Sequence, residues 1–186
     1  AMDALLADLD AFNKRQRRSQ HHHRQYLPRL VFLEGNHEER LRRISRLHPE
    51  LRGFLDDEAI EHAMRRRGWE WYRFLEPVEI QGVTFAHFFE SPGTGKPIQI
   101  GAWPARLPFS AVWGHTHQLH YRLASLPLGR SIAGLCAGSF RGAPPPSAAH
   151  EWSGVLMLHD CVDGTYDLEK ISTDRLLKDH PGLLAA

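Results

Sequence analysis

The stretch LVFLEGNHEERLRR, residues 30–43, decides how the rest of the sequence is interpreted. Its first four residues are apolar and follow Pro28, and Gly35 ends the run soon after, which predicts a short buried strand. Beyond the glycine, apolar residues recur at helical spacing until His48 and Pro49 end the pattern. A buried strand that passes through glycine into a helix is typical of an α/β protein.

Regular elements are predicted on both sides of this stretch. Residues 2–19 carry apolar residues at helical spacing, which indicates an amphipathic helix. Residues 56–67 predict another helix, because acidic residues at its start complement the helix dipole and Gly68 closes it. From Trp69 onward, aromatic and β-branched segments alternate with turn signals. The predicted strands are 69–75, 78–80, 83–89, 110–113, 119–125, 131–136, 153–161 and 165–171, with hairpin turns at Gln81-Gly82 and Asp163-Gly164 and loops at 91–97 and 141–150.

This order of elements predicts a strand-rich mixed α/β domain. The strand at 30–34 should pair in parallel with a neighbour, and the strands from residue 110 onward should form a second, more antiparallel sheet. A length of 186 residues lies within the usual one-domain range. We therefore expect residues 1–186 to form a single domain.

Composition is that of an ordinary globular protein. Hydrophobic residues make up 42% of the chain and charged residues 24%, which argues against intrinsic disorder. No apolar run approaches the roughly 20 residues of a membrane span, and no signal peptide is recognised, so we expect a cytoplasmic protein with no membrane partner. The two cysteines, Cys136 and Cys161, are too few for a disulfide scaffold and predict buried thiols.

Positive charge is concentrated near the N-terminus. Residues 11–29 carry six arginine or lysine residues and no acidic residue. Charge runs of this kind are usually solvated helix ends and loops, and a phosphate-rich partner such as nucleic acid is the alternative. The histidines at 21–23 lie within the stretch, and no metal role is assigned to them.

Histidine stands close behind glycine at the ends of two predicted strands. The segment GNHE at 35–38 follows the first strand, and GHTH at 114–117 follows the apolar strand at 110–113. Ligands of α/β sheets bind beyond the carboxyl ends of strands, so both segments should project into an active-site crevice. The imidazoles of His115 and His117 suit metals such as zinc, iron, manganese or nickel. Taken alone, this HxH pattern also fits exposed strand histidines.

The segment GNHE, the strand histidine His87 in TFAHFF, and GHTH occur in an order that resembles the calcineurin-like metallophosphoesterases. The resemblance covers residues 30–172, and LEGNHEERLRR and the loop SPGTGKP are similar to phage and prophage members. It implies a layered αββα sandwich that hydrolyses phosphomonoesters or phosphodiesters with two divalent metal ions, for which manganese, iron and zinc are candidates. The family includes protein phosphatases, nucleotide phosphodiesterases and nucleases. The basic stretch and the phage-like segments favour nucleotides or nucleic acid as the substrate.

Residue by residue, the resemblance implies a divided set of metal ligands. Asn36, His87 and His115 match the ligands of one metal, and His117 matches a ligand of the other. His37 matches the histidine that contacts phosphate and protonates the leaving oxygen.

Two further positions bear on the resemblance. Phe88 follows His87 where the family often has a glycine. Arg40 would reach a substrate phosphate from the first turn of its helix, or form a surface ion pair with Glu38 or Glu39.

Two further motifs of the family, DxH and GDxxD, have no counterpart in residues 1–29. They supply the family's acidic ligands, whereas Asp8 and Asp10 form a DxD on the predicted opening helix that we interpret as facing solvent. We therefore expect the sandwich to lack its first strand or strands, as in a truncated chain, a partial reading frame or a degenerate relative, and the chain alone to have little activity. The alternative function is a non-catalytic module of the same fold that binds protein or nucleic acid.

Overall fold

The computed structural model describes residues 28–51, 58–141 and 150–180, together with Ala7, Asp10, Ala11 and Lys14. The chain is mixed α/β, as the sequence predicts. It divides into two compact units, Ala1–Phe74 and Leu75–Ala186, and each is described by itself. The expectation of one domain over the whole chain stays a prediction. No helix in the described ranges is long and apolar enough to cross a bilayer.

The first unit contains helices and a two-stranded parallel sheet. Its elements are β1 (Leu30–Leu33), α1 (Asn36–Leu47), a 3₁₀ turn (Pro49–Leu51), α2 (Ala59–Arg66) and β2 (Trp69–Tyr72). β1 runs parallel to β2, with Leu30 opposite Trp69 and Leu33 opposite Tyr72. The parallel pairing predicted for the first strand is therefore confirmed. Of the helix predicted at 2–19, the four described residues are helical, and the rest lies outside the described residues, as do residues 52–57.

β1 is less buried than its apolar sequence predicts. All four of its residues are half-buried, because a two-stranded sheet has no central strand whose edges are both covered. Phe32 stacks on Trp71 of β2 with ring centroids 4.3 Å apart. Apolar contact between the two strands therefore supports their hydrogen-bonded ladder.

A buried ion pair fixes the backbone where β1 turns into α1. Glu34 is fully buried and accepts hydrogen bonds from Arg42 Nη1 at 2.5 Å and from Trp71 Nε1 at 3.2 Å. Burial alone lowers the pKa of the Arg42 guanidinium, but the hydrogen bond to Glu34 and the nearby carboxylates raise that pKa overall. Because Glu34 directly precedes Gly35, this charged pair anchors the residue from which the helix starts.

The second unit contains a mixed five-stranded sheet and a two-stranded hairpin. Its elements are β3 (Val78–Ile80), β4 (Val83–Ala86), α3 (Trp103–Arg106), β5 (Ser110–Trp113), β6 (Leu119–Ser125), a 3₁₀ turn (Pro127–Gly129), β7 (Ser131–Ala137), β8 (Gly154–Val162), β9 (Thr165–Ser172) and α4 (Thr173–Asp179). The strand order of the larger sheet is β3-β4-β5-β7-β6, and β8 pairs with β9.

The predicted grouping of the strands from residue 110 onward needs correction. β5 does not join a separate antiparallel sheet, since it lies at the centre of the larger sheet and runs parallel to both β4 and β7. All four of its residues are buried, and a continuously buried apolar run suits a central parallel strand. The pairs β6–β7 and β8–β9 are antiparallel, as expected.

The core of the second unit lies between the larger sheet and the β8–β9 hairpin. Val83, Val112 and Leu135 from three neighbouring strands of the sheet meet Tyr166 from β9. Burial raises the pKa of the Tyr166 hydroxyl, so this side chain stays neutral in the core. The central strands are thereby held in place by packing from the hairpin.

Both predicted hairpin turns are confirmed by their backbone conformation. The φ angles are 51° and 78° at Gln81 and Gly82, and 48° and 82° at Asp163 and Gly164, as expected when both residues of a two-residue turn have positive φ. The two turns also touch, because a Cβ on Gly82 would lie 2.7 Å from the amide nitrogen of Gly164. Glycine is therefore required here for close packing as well as for its φ angle.

Two short helices, α3 and α4, were not predicted. Trp103, the first residue of α3, is 0% exposed and covers Gly134 of β7, where an added Cβ would lie 2.6 Å from the indole ring. α4 begins after Ser172, whose hydroxyl accepts a hydrogen bond from the backbone N–H of Arg175 at 3.2 Å. Tertiary packing in one case and a local cap in the other stabilise helices too short to give a periodic pattern.

Candidate metal centre

Two of the predicted ligands, His87 and His115, come together because they follow neighbouring parallel strands. Ala86 and Trp113, the last residues of β4 and β5, are partners in the ladder. The backbone N–H of Gly114 then donates to the carbonyl oxygen of His87 at 3.0 Å, which extends the pairing by one residue. Side chains that leave adjacent carboxyl ends meet at one edge of the sheet.

The rings of His87 and His115 face each other through nitrogen atoms. His87 Nε2 lies 3.2 Å from His115 Nδ1, and the ring planes are inclined at 78°. Two nitrogens bound to one ion at about 2.0–2.1 Å, with an angle of about 90–110° at the ion, are about 2.8–3.4 Å apart. The observed separation fits this arrangement. It also fits a hydrogen bond in which one neutral ring donates to the other.

Phe88, the departure from the family pattern, packs against this pair. Its side chain is buried, and its ring centroid lies 4.8 Å from that of His115 and 5.8 Å from that of His87. An apolar ring against the imidazoles keeps water away on that side and restricts how the rings turn. Phe88 therefore helps to fix the direction in which the ring nitrogens point.

The GHTH turn holds both of its histidines in the left-handed backbone region. The φ angles are 70° at His115 and 58° at His117. The backbone N–H of Thr116 donates to the carbonyl oxygen of Gly114 at 2.9 Å, so His115 is the central residue of a γ-turn with positive φ, which is a rare and strained conformation. Such positions cost about 1–3 kcal/mol each and cluster at functional sites.

Contacts with neighbouring segments maintain this strained turn. Thr116 Oγ1 lies 2.9 Å from Cys136 Sγ, and the backbone N–H of Trp152 donates to the carbonyl oxygen of His117 at 3.0 Å. Cys136 is buried, as predicted, and burial raises the pKa of its thiol; Cys161 is only half-buried. Because β7 and the segment before β8 both hold the turn, its backbone is set by tertiary structure rather than by local preference.

His117 contacts a carboxylate that sequence reasoning missed. His117 Nδ1 lies 3.4 Å from Glu151 Oε2, and Arg141 Nη2 binds the same oxygen. The Glu151 side chain is only 16% exposed. A carboxylate beside Nδ1 favours the tautomer with its hydrogen there, which leaves Nε2 as the atom that would bind an ion. The Arg141 guanidinium on the same oxygen makes Glu151 better suited to orienting His117 than to binding a cation itself.

Asn36, His37 and Arg40 lie in the first unit, at the start of α1. The Glu38 carboxylate accepts a hydrogen bond from the backbone N–H of Gly35 at 2.9 Å, which caps the helix. Asn36 is half-buried, whereas His37 and Arg40 are exposed. A cavity of about 220 Å³ is lined by Asn36, Glu39, Arg40, Arg43 and Phe74.

The ion pair considered for Arg40 is not formed among the described residues. Glu38 is engaged with the start of the helix, and Glu39 Oε2 lies 3.2 Å from Arg42 Nη1 instead. Arg40 is therefore placed to interact with an anion in the cavity that it lines.

The structure thus forms two contact pairs from the predicted residues, His87 with His115 and His117 with Glu151. Within the part of the chain that it describes, no three His, Cys, Asp or Glu side chains gather as a group that could hold an ion. The convergence of Asn36 with the histidines stays a prediction. Asp10 is exposed and forms an ion pair with Arg67 at 2.7 Å, as expected for a surface residue, and Asp8 lies outside the described residues.

Comparison of the chain with protein-family models, with curated proteins and with solved structures finds no match. The resemblance to calcineurin-like metallophosphoesterases therefore rests on GNHE, His87 and GHTH and on their order along the chain. The family assignment and the function that follows from it are accordingly proposals.

Proposed function

We propose that this chain supplies part of a two-metal site that hydrolyses phosphomonoesters or phosphodiesters, on a layered αββα sandwich. The observation that carries the proposal is the 3.2 Å approach of His87 Nε2 to His115 Nδ1 at the ends of β4 and β5. Strained backbone at His115 and His117 supports it, because such strain is retained where function needs it. Phosphatases, nucleotide phosphodiesterases and nucleases are the candidate classes of enzyme.

The proposed ligands divide between two ions. Asn36, His87 and His115 would hold one ion through an amide oxygen and two imidazole nitrogens, and His117 would contribute to the other. Manganese, iron and zinc all accept such ligands. When bound, two divalent ions supply Lewis-acid activation of the phosphoryl group and of the attacking water.

Two exposed side chains near the start of α1 act on the substrate in this proposal. His37 would donate a proton to the leaving oxygen, since imidazole exchanges protons readily near neutral pH. Arg40 would bind a phosphoryl oxygen through its guanidinium group. Positions 37 and 40 are three residues apart and hence neighbours on one face of the helix.

The test is hydrolysis of an aryl phosphate monoester and diester, with Mn²⁺, by the product of the complete reading frame that encodes this chain. We expect His37→Ala and His115→Ala each to lower kcat/KM by about 100-fold or more, since a positioned acid contributes about 10²–10⁴-fold. His120→Ala is the matched control, because His120 is an exposed strand histidine hydrogen-bonded to Gln118. Full activity in His115→Ala, or equal losses in all three variants, would contradict the proposal.

The alternative is a non-catalytic module of the same fold, which the lack of DxH and GDxxD in residues 1–29 favours. The nucleotide sequence upstream of residue 1 distinguishes the two functions. An in-frame DxH and GDxxD there would support the enzyme. A complete frame that binds protein or nucleic acid without hydrolysing either aryl ester would support the module.

A further inference from the structure

We infer that α1 forms one wall of a groove that binds the phosphate backbone of single-stranded nucleic acid. The inference rests on the proposed function and names the substrate class of that site. It starts from the residues that line two adjoining cavities of the first unit.

The groove consists of two cavities beside α1. The first, of about 220 Å³, reaches Asn36 and contains Arg40 and Arg43. The second has a volume of about 420 Å³ and is lined by Glu39, Arg42, Arg46, Glu58, Arg73 and Phe74. Glu39 and Phe74 line both cavities, so the two adjoin along the helix.

The groove carries positive charge that its own carboxylates do not neutralise. Arg42 is paired with Glu34 at 2.5 Å, and Arg73 with Glu61 at 2.7 Å. Three exposed arginines of the groove have no ion-pair partner among the residues that the structure describes: Arg40, Arg43 and Arg46. They recur every three residues, which places successive guanidinium groups about 4.5 Å apart along the helix axis.

A row of arginines suits a chain of phosphates better than a single phosphate. One guanidinium group is enough to bind a lone phosphoryl group through paired hydrogen bonds. Successive cations beside an aromatic ring are the combination that binds single strands, because the charges track the backbone while bases stack on the ring. Phe74 is half-buried and supplies that ring in both cavities.

The groove also has a defined relation to the proposed chemistry. Asn36 lines one end of the groove, and Asn36 is the residue of the first unit that is assigned as a metal ligand. A strand lying along α1 would therefore place one phosphate beside Asn36 while the next ones contact Arg43 and Arg46. These arginines bind the part of the substrate that flanks the reacting phosphate.

The test is binding of a short fluorescent oligothymidylate to the 186-residue chain, measured by anisotropy over a range of salt concentrations. Arg43→Gln should raise Kd about five- to tenfold near 0.1 M salt and reduce the slope of log K against log salt by about 0.7, the value for one lost phosphate contact on a single strand. Arg43→Lys should recover most of the affinity. Arg66→Gln, which removes an exposed arginine of α2 outside the groove, should leave Kd unchanged.

Three results would overturn the inference. The first is no binding of oligothymidylate by the unmodified chain, and the second is an equal loss of affinity in Arg43→Gln and Arg66→Gln. The third is competition by polyglutamate that is as effective per charge as competition by unlabelled oligothymidylate, which would assign the groove to an acidic polypeptide. Circular dichroism of each variant confirms that it is folded. Because this assay measures binding without turnover, its result is independent of the hydrolysis test on His37 and His115.

Discussion

His115 and His117 both have positive φ, at 70° and 58°, although neither is a glycine. A side chain with a Cβ is disfavoured in this region, whereas glycine populates it readily. The protein therefore retains histidine at these two positions at the expense of stability. Replacing the histidine by glycine and by alanine makes this cost measurable, because both remove the imidazole and only alanine keeps the strained backbone.

We expect His115→Gly to be more stable than His115→Ala by about 1 kcal/mol in free energy of unfolding, because alanine keeps the strain and glycine relieves it. Urea denaturation of the two variants gives the difference directly. His120, in the extended strand β6, is the control, and there the glycine variant should be the less stable one. The same order at both positions would show that the His115 backbone is not strained.

Glu151 should act as a positioning residue for His117. Loss of its carboxylate in Glu151→Ala should move the ¹⁵N chemical shifts of the His117 ring towards the mixed tautomers of free imidazole, while His120 is unaffected. Mn²⁺ affinity should fall about 10- to 100-fold, as is usual when the partner of a ligand is removed. Unchanged ring shifts would mean that the 3.4 Å contact does not select the tautomer.

The two contacts of the candidate centre differ in how far sequence could predict them. His87 and His115 were expected to approach because the family resemblance assigns both to one metal, and the structure shows that they follow neighbouring parallel strands. Glu151 had no such signal, since it belongs to no motif and follows a proline-rich loop. Glu151 reaches His117 because the backbone N–H of Trp152 donates to the carbonyl oxygen of His117. This hydrogen bond joins two segments that are far apart in the chain.

Among the secondary structure elements, the join between β1 and α1 depends on one buried ion pair. Removal of a single partner leaves the other charge buried and unpaired. We expect Arg42→Met to lower the free energy of unfolding by about 3–5 kcal/mol. Glu34→Gln keeps an acceptor for Trp71 Nε1 and should cost less.

A double-mutant cycle in urea tests this coupling. Arg42→Met combined with Glu34→Gln should be more stable than the sum of the two single effects predicts, by about 1–3 kcal/mol. Strict additivity would show that Glu34 and Arg42 do not depend on each other. An exposed pair such as Arg175 and Asp179, 3.6 Å apart in α4, is the control and should couple weakly.

Strands and hairpins could be predicted because their signals are local. Each aromatic and β-branched segment, and each of the turn pairs Gln81-Gly82 and Asp163-Gly164, is contained within a few consecutive residues. The order of the sheet could not be predicted, because β5 pairs with β7 rather than with β6, which follows it directly. α3 escaped prediction since its stability comes from Trp103 packing on Gly134, a contact between segments about 30 residues apart.

For the whole molecule, we expect the 186-residue chain by itself to show little or no hydrolysis of the same aryl esters with Mn²⁺. The ligands assigned to the metals are neutral imidazole and amide groups, and neutral ligands alone hold a divalent ion weakly. Rapid hydrolysis by the chain alone, abolished by His115→Ala, would contradict this. It would indicate that a carboxylate such as Asp8 or Asp10 supplies the missing charge.

The motifs of the proposed site do not by themselves define the substrate, and the preference for nucleotides or nucleic acid came from the basic stretch and the phage-like segments instead. GNHE and GHTH describe the reacting centre, which is common to enzymes that act on very different phosphoesters. Selectivity depends on the surrounding surface, and the arginine groove of the first unit became visible only once α1 and Phe74 were placed together.

The parallel pairing of β1 with β2 has a consequence during synthesis of the chain. Each pair in this ladder joins residues 39 positions apart, as Leu33 with Tyr72. A ribosome that adds about 5–20 residues per second delivers β2 roughly 2–8 s after β1. The β8–β9 hairpin, by contrast, closes through two residues in about 1–10 μs. A nascent chain therefore holds the apolar sequence LVFL unpaired for seconds before β2 can join it, so the pairing of these two strands is limited by the rate of synthesis, whereas the β8–β9 hairpin is not.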